Sequence, residues 1–354
     1  MDTVLRKASE SLGVPLSEAV DLGGSSRSTV IRCRTGDGRS VVIKAYKPDA
    51  FRHFTAEAAG LALGAGSGPR LLAVDTEYPL LVMEDLGEAP SLADALLGEN
   101  PEAARAALLA WAVAYGRLAA ETTGREDELA ALRARYDRGE QQWGEDPELR
   151  AAAEALPGVL DALGVTTPPG LAAELAPIAD LDKGPYPVYS PGDICPDNNL
   201  ILPDGMRLLD FEGAGYHSVF LDAVYTRMPF STCWCVFRLP PAIQEEIESA
   251  YRSEVAKGHP DLLDDEVWRA GMRLATIALT VQMTTLVPRV LTGDRPLHPT
   301  RQAPSMRQLL RHRWQALLAD LPSDSAVAEA MRGLLAATEK WDCPVLPPYP
   351  AFAG

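Results

Sequence analysis

The sequence predicts an α+β protein: an antiparallel, five-stranded N-terminal region over residues 1–85 and a mostly helical region over 86–354. Three observations predict it. Short β-rich runs broken by Gly and Ser fill the first part, Ala-rich helical periodicity begins after Gly87, and strand patterning returns briefly between Val188 and Asp210. A chain of 354 residues is long enough for two domains or for one fold with two lobes.

Taken in order, "VLRKASESL" (4–12) reads as a leading helix. "STVIRCR" and "SVVIKAY" flank Thr35-Gly36-Asp37-Gly38, whose Asp-Gly step suits a tight hairpin turn. "FRHFTAEAAGLALGAG" places Phe54, Ala58 and Leu61 on one helical face and ends at its glycines. Arg70–Asp75 and Pro79–Glu84 supply the fourth and fifth strands, the last apolar enough for the centre of a sheet.

Ala104–Thr122 is a strong helix with Leu108, Trp111, Tyr115 and Leu118 in one stripe. Residues 124–183 read as helical segments broken at Pro157 and at Pro168-Pro169-Gly170. "NLIL" and "MRLLDF" then form a hairpin around Pro203-Asp204-Gly205, with Asp210 ending its second strand. Helices resume from Pro240 to about Trp341, and a Pro-rich tail closes the chain.

The net charge of −16 argues against a nucleic-acid or anionic-membrane surface, since phosphate backbones are bound by clustered Lys and Arg. It leaves room for a cationic substrate. No apolar window reaches the roughly 18 residues of a membrane-spanning helix. The five cysteines are odd in number and lack paired zinc-type spacing, so a cytoplasmic protein is expected.

Four pieces line up in the order that phosphoryl transfer needs. The Gly/Ser loop Leu22–Ser28, with Gly24, Ser25 and Ser26 at its tip, lets backbone amides and hydroxyls approach phosphate oxygens. Lys44 sits inside a β run, where burial demands a partner, and Glu57 on the next helix is the expected carboxylate. "LLVMEDLG" ends an apolar strand where composition turns helical, so backbone groups near Glu84 and Leu86 suit an adenine edge.

The fourth piece is "YSPGDICPDNNLILPDGMRLLDFEG", Tyr189 to Gly213. Asp193 is placed to accept or orient the acceptor hydroxyl's proton. Asn198 and Asp210 are hard oxygen ligands suited to Mg2+.

These residues resemble the aminoglycoside phosphotransferase and choline kinase-like family of small-molecule kinases, most specifically over "GDICPDNNLIL", "LLDFEGA" and "FLDAVY". The resemblance implies a protein-kinase-like bilobal fold, with a nucleotide-binding lobe at 1–85 and a helical C-terminal lobe at 86–354. Within the latter, the catalytic loop would be 189–213 and substrate-cleft helices would lie at about 124–183 and 240–341.

It further implies ATP or GTP as donor, a catalytic role for Asp193, and metal ligation by Asn198 and Asp210. Glu212 falls where a second acidic group is common, and Asp222 where an aspartate buttresses the loop. A small-molecule hydroxyl acceptor is expected, an antibiotic such as an aminoglycoside first. The other readings are a sugar, nucleoside or choline-like metabolite as acceptor, or a non-catalytic nucleotide-binding module.

One letter departs from the pattern: Pro191 stands where the family has a histidine before Gly-Asp. Proline cannot make that histidine's side-chain hydrogen bond, but it stiffens the loop and holds Ser190 extended. Since Lys44, Glu57, Asp193, Asn198 and Asp210 are all present, the loop is expected to work.

Overall fold

The computed structural model describes residues 1–139, 148–182 and 184–354. Positions 140–147 and 183, part of the helical stretch expected at 124–183, lie outside them. In chain order the elements begin α1 (Asp2–Leu12), β1 (Leu16–Gly24), β2 (Ser28–Thr35), β3 (Ser40–Tyr46), α2 (Phe51–Leu63), β4 (Leu71–Asp75) and β5 (Leu80–Glu84). Then come α3 (Leu92–Leu97), α4 (Pro101–Glu121), α5 (Glu126–Tyr136), α6 (Glu148–Ala162), α7 (Leu171–Leu175), β6 (Pro187–Ser190), β7 (Asn199–Leu202), β8 (Gly205–Leu208) and β9 (Gly215–Ser218). The chain finishes with α8 (Val219–Ala223), α9 (Pro241–Val255), α10 (Asp265–Thr284), α11 (Met306–Asp320) and α12 (Ala326–Ala337).

The chain divides into two compact units. The first gathers Met1–Ser91, Glu121–Trp143 and Tyr189–Tyr216. Its five strands form one antiparallel sheet in the order β1-β2-β3-β5-β4. Period-two alternation sorts the side chains. Ile31 and Cys33 of β2, Val41, Ile43 and Ala45 of β3, and Leu80 and Val82 of β5 join Ala8 of α1 in one apolar core. Lys44, between Ile43 and Ala45, therefore points to the opposite face, and α2 brings Glu57 to it. β7 and β8 add a hairpin, Asn199 facing Leu208.

The second unit gathers Leu92–Ala120, Gly144–Val188 and His217–Gly354 and is helical. α10 is a long core helix, with Trp268, Met272, Ala275, Leu279 and Val281 buried. Asp264 caps it by accepting from the backbone N–H of Glu266 and Val267. Ser305 and Gln308 form a capping box at the start of α11. The Pro-rich C-terminal stretch docks: Arg238 N–H donates to Pro347 O, Tyr349 N–H donates back to Arg238 O, and Tyr349 is fully buried.

Two local expectations need correction. Pro157 does not break its helix, because α6 runs through it. Burial of Leu149, Ala152, Leu156, Val159 and Leu160 on one face holds the helix across the missing N–H. Asp210 does not end a strand either: β8 stops at Leu208, and Asp210 lies beyond it with a positive φ of 61°.

Candidate active site

A charged hub lies within the first unit, on the sheet face opposite the apolar core. Its centre is the Lys44 ammonium, 8 % exposed, which lies 2.8 Å from Glu57 Oε2, 2.8 Å from Asp210 Oδ1 and 3.8 Å from Glu212 Oε2. One buried cation thus ties together β3, α2 and the segment after β8. The carboxylates surrounding Lys44 outweigh the burial that disfavours its charge and hold its pKa above the ordinary lysine value. Glu57 moves the same way. Burial of its carboxyl exceeds its share of the attraction from Lys44, so its pKa is raised too.

Two residues to which the sequence pattern assigns no role complete this hub. The Tyr46 hydroxyl donates to Glu57 Oε2, giving the buried carboxylate a second partner. Arg27, from the Gly/Ser loop, donates to Glu212 Oε1. Glu212 therefore stands between two cations, Arg27 on the loop and Lys44 on the sheet. Arg27 is adjacent in sequence to the Gly/Ser cluster, but its partner is 185 residues away and no local signal names it.

The loop that carries Arg27 is a tight connection. Gly24 ends β1, Ser25 N–H donates to Ser28 O at 3.0 Å, and Ser25 Oγ accepts from Arg27 N–H at 3.1 Å. Ser25 can still donate its hydroxyl proton outward, and Ser26 lies exposed at the tip.

At the end of β5, Glu84 N–H is already taken by Arg70 O. Asp85 is the organiser: it accepts from Ser40 Oγ at 2.6 Å and Gly87 N–H at 2.9 Å, and Arg32 Nε lies 2.8 Å from its carboxylate. Among the described residues, the Leu86 N–H and C=O have no hydrogen-bond partner. A fixed strand end with a free donor and acceptor pair is suited to a planar heterocycle edge.

The loop bearing Asp193 is held by its own backbone. Gly192 (φ 89°) lies against Gly213, so close that a Cβ at 192 would sit 2.4 Å from Gly213 O. Ser190 Oγ accepts from Gly192 N–H at 3.2 Å, and Asp193 Oδ1 accepts from Cys195 N–H at 3.1 Å. The segment 190–195 is thus braced at Ser190 and Gly213 with proline at 191. Burial raises the Asp193 pKa; the Cys195 N–H opposes this, and the carboxylates of Asp210, Asp197 and Glu212 add to it.

Leu209 N–H donates to Asn198 O at 2.7 Å, which joins the loop bearing Asn198 to the one bearing Asp210. On α2, one turn beyond Glu57, Gly60 admits this second loop. A Cβ there would lie 2.6 Å from Ala214 Cβ and 2.7 Å from the Tyr189 hydroxyl. Sequence alone does not single out Gly60, because one glycine inside a helix reads only as a weak point.

In the second unit, buried Asp222 is paired with His217 Nε2 at 3.0 Å. Burial opposes charging of His217, but the Asp222 carboxylate prevails and raises the histidine pKa above its ordinary value. By sequence His217, just past Asp210, reads first as a turn or surface residue and second as a cleft-lining one. It is half-buried, and Asp222 holds it.

The site's chemistry follows from its charges. Among the described residues Glu57, Asp210 and Glu212 gather around Lys44, with Arg27 on Glu212, and the Asp193 carboxyl feels the negative charge of Asp210, Asp197 and Glu212. That surplus suits a divalent cation. Asn198, Asp210 and Glu212 offer hard oxygen donors, and one or two carboxylates completed by phosphate oxygens and water is the usual Mg2+ arrangement. Among the described residues no cluster of three His, Cys, Asp or Glu forms an all-protein cage for a metal.

A model of the family described as phosphotransferase enzyme family matches residues 18–261. No match is found among curated proteins. Among solved structures the chain is similar to a proposed fructosamine-3-kinase from Thermobifida fusca YX-ER1, with 20% identity, TM-score 0.53, and coverage of 90% of this chain and 99% of that one. It is also similar to APH(2")-IIia solved with GDP and kanamycin (13% identity, TM-score 0.51, coverage 90% and 97%). A third is APH(2")-IIa in a ternary complex with streptomycin and ATP (11% identity, TM-score 0.50, coverage 82% and 93%). At these identities the likeness establishes the fold. The expected antiparallel five-stranded sheet and helical remainder are present.

Proposed function

The chain belongs to the phosphotransferase enzyme family and is a small-molecule phosphotransferase; from that premise we propose that it transfers the γ-phosphoryl group of ATP or GTP to a hydroxyl, with Asp193 as the base. The observation that supports this most is the Lys44 hub. A buried lysine bound at once to Glu57 and Asp210, with Asp193 in their electrostatic neighbourhood, is costly to maintain for stability alone.

In this reading residues 1–85 supply the nucleotide-binding lobe. The Leu86 backbone takes the base edge, with the Glu84 carbonyl beside it, and Gly24, Ser25 and Ser26 cover the phosphates. Lys44, oriented by Glu57, and Arg27 place positive charge against phosphate oxygens. Asn198 and Asp210, with Glu212 available as a further ligand, would hold Mg2+, which when bound neutralises phosphate charge. The raised pKa of Asp193 brings its carboxylate nearer to the proton it must accept, as general-base catalysis favours. Pro191 supports the loop without reacting, and Asp222 holds His217.

The 86–354 region supplies the acceptor site, its helices at about 124–183 and 240–341 included. An aminoglycoside-type antibiotic is the acceptor to try first, because a chain of net charge −16 favours a polycation. Among the described residues no helix is long and apolar enough to cross a membrane.

Coupled nucleotide turnover against panels of aminoglycosides, macrolides, sugars, nucleosides and choline-like amines tests the proposal. Turnover that depends on one acceptor class and drops in Asp193→Asn and Asp210→Ala supports it. A protein whose melting temperature rises with nucleotide and Mg2+ but which consumes no nucleotide with any acceptor is the non-catalytic alternative.

A further inference from the structure

We propose that Arg32 is a positioning residue for the nucleotide base: from β2 it straps Asp85, and through Asp85 it fixes how Leu86 presents its free N–H and C=O. This role rests on the nucleotide-binding reading above. The register of the sheet places the side chain. Arg32 pairs with Val42 and Val42 with Met83, while Val30 pairs with Lys44 and Lys44 with Leu81. Directly paired residues share a face, so Arg32 lies on the Lys44 side of the sheet. Lys44 and Arg32 occupy one diagonal of a square there, and the half-buried Val30 and Val42 occupy the other.

Arg32 spends its guanidinium beyond its own strand and the next. In the order β1-β2-β3-β5-β4 it reaches across β3 to the segment after β5. Its Nη2 donates to Asp85 Oδ1 at 3.2 Å and to Gly87 O at 3.3 Å, and Nε lies 2.8 Å from Asp85 Oδ2. Glu88 also accepts from it, but that carboxylate is 92 % exposed and adds little. Asp85 is therefore the partner that matters.

The Asp85 carboxylate is gripped from both strands and passes the grip on. Ser40, at the start of β3, donates its hydroxyl to Oδ2 at 2.6 Å. Oδ1 accepts from Gly87 N–H at 2.9 Å, an Asx turn across two residues, and Gly87 takes the φ of 79° that closes it. Burial opposes ionisation of Asp85, but the Ser40 hydroxyl, the Gly87 N–H and Arg32 outweigh it and lower its pKa. Leu86 thus sits between two pinned neighbours with its own N–H and C=O unused among the described residues. An edge held this way meets a planar base without first losing conformational freedom, which is where preorganisation adds affinity. Nothing in the strap touches Lys44 or Arg27, so phosphate recognition should not depend on it.

Isothermal titration with Mg2+-ATP, Mg2+-GTP and Mg2+-tripolyphosphate separates the two ends of the nucleotide. In Arg32→Met and Asp85→Asn the Kd of whichever nucleotide binds wild type more tightly should rise at least about fivefold. Tripolyphosphate, which has no base, should bind all forms within about twofold. Arg32→Lys, which keeps the charge but not the fork, should fall between wild type and Arg32→Met. With an acceptor that turns over, nucleotide KM should rise by the same factor while kcat stays within about twofold.

Unchanged nucleotide affinity in Arg32→Met and Asp85→Asn would overturn the proposal. So would an equal loss for nucleotide and tripolyphosphate, the mark of general loosening. A wild type that binds neither ATP nor GTP would refute the nucleotide-binding reading itself, and the strap's role with it. Asp85→Asn keeps an acceptor for Gly87 N–H while removing the ion pair, so it decides the matter if Arg32→Met does not fold.

Discussion

Lys44→Met removes the one ammonium that three carboxylates share. The loss can be worked from their surroundings. Glu212 keeps a second cation in Arg27, and Asp210 is 27 % exposed, so water compensates it in part. Glu57 is 2 % exposed and, among the described residues, keeps only the Tyr46 hydroxyl. Removing one partner of such a buried pair costs about 3–5 kcal/mol, because the other charge is left uncompensated.

Protonation limits that cost. The Glu57 pKa is already raised above its ordinary 4.5 and rises further without Lys44. A group with a raised folded pKa contributes stability that is present below the unfolded value and lost as pH rises through the folded value. The gap between Lys44→Met and wild type should therefore be widest at neutral to alkaline pH and narrow toward pH 4.5. Urea unfolding at 25 °C across that range reads it directly. Lys44→Met/Glu57→Gln, which keeps an acceptor for Tyr46 and carries no buried carboxylate, should regain half or more of the loss. A single variant within about 1 kcal/mol of wild type at pH 7, the scale of exposed ion pairs, would refute the buried-hub argument. So would a double variant no better than the single.

Asp193→Asn should lower kcat by about 10²–10⁴-fold while raising stability, since it removes a carboxylate whose charged form burial disfavours. The stabilisation should appear at neutral pH and vanish below about pH 3.8, as urea titrations at both ends would show. Gly60→Ala should cost about 1–2 kcal/mol, overpacking against Ala214 and Tyr189 outweighing the gain in helix propensity, and should reduce turnover by displacing the Asp210–Ala214 segment. The His217–Asp222 pair should stabilise the protein fully below pH 6.5 and progressively less as pH rises through the raised histidine pKa. His217→Asn should flatten that part of the pH–stability curve measured by chemical denaturation. Pro191→His should change kcat/KM only a few-fold, because Ser190 and Gly213 already brace the loop.

The elements that rest on local pattern were legible in the sequence. Alternation in "SVVIKAY" fixes a strand and puts Lys44 on the face opposite Ile43 and Ala45, and an ammonium on a buried face demands a carboxylate. From that alone Glu57 was nameable; Asp193, Asn198 and Asp210 are proposed from their spacing around a hairpin together with the upstream order of the Gly/Ser loop and the Lys44–Glu57 pair. Pro157 misled because a local rule about a missing N–H was overridden by burial of one face of α6.

What tertiary structure decided involves partners that no local spacing encodes. It tied Arg27 to Glu212, Tyr46 to Glu57 and Arg133 to Ala214 O, and it placed the 189–216 segment with the N-terminal strands rather than with its sequence neighbours. It also turned two glycines into close contacts, Gly60 against Ala214 and Gly192 against Gly213. The physical reason is the range of the forces concerned. Backbone periodicity and turn chemistry act over a few residues and are written in the sequence. A buried charge is satisfied by whichever group the fold brings within hydrogen-bonding reach, and for Arg27 that group lies 185 residues away.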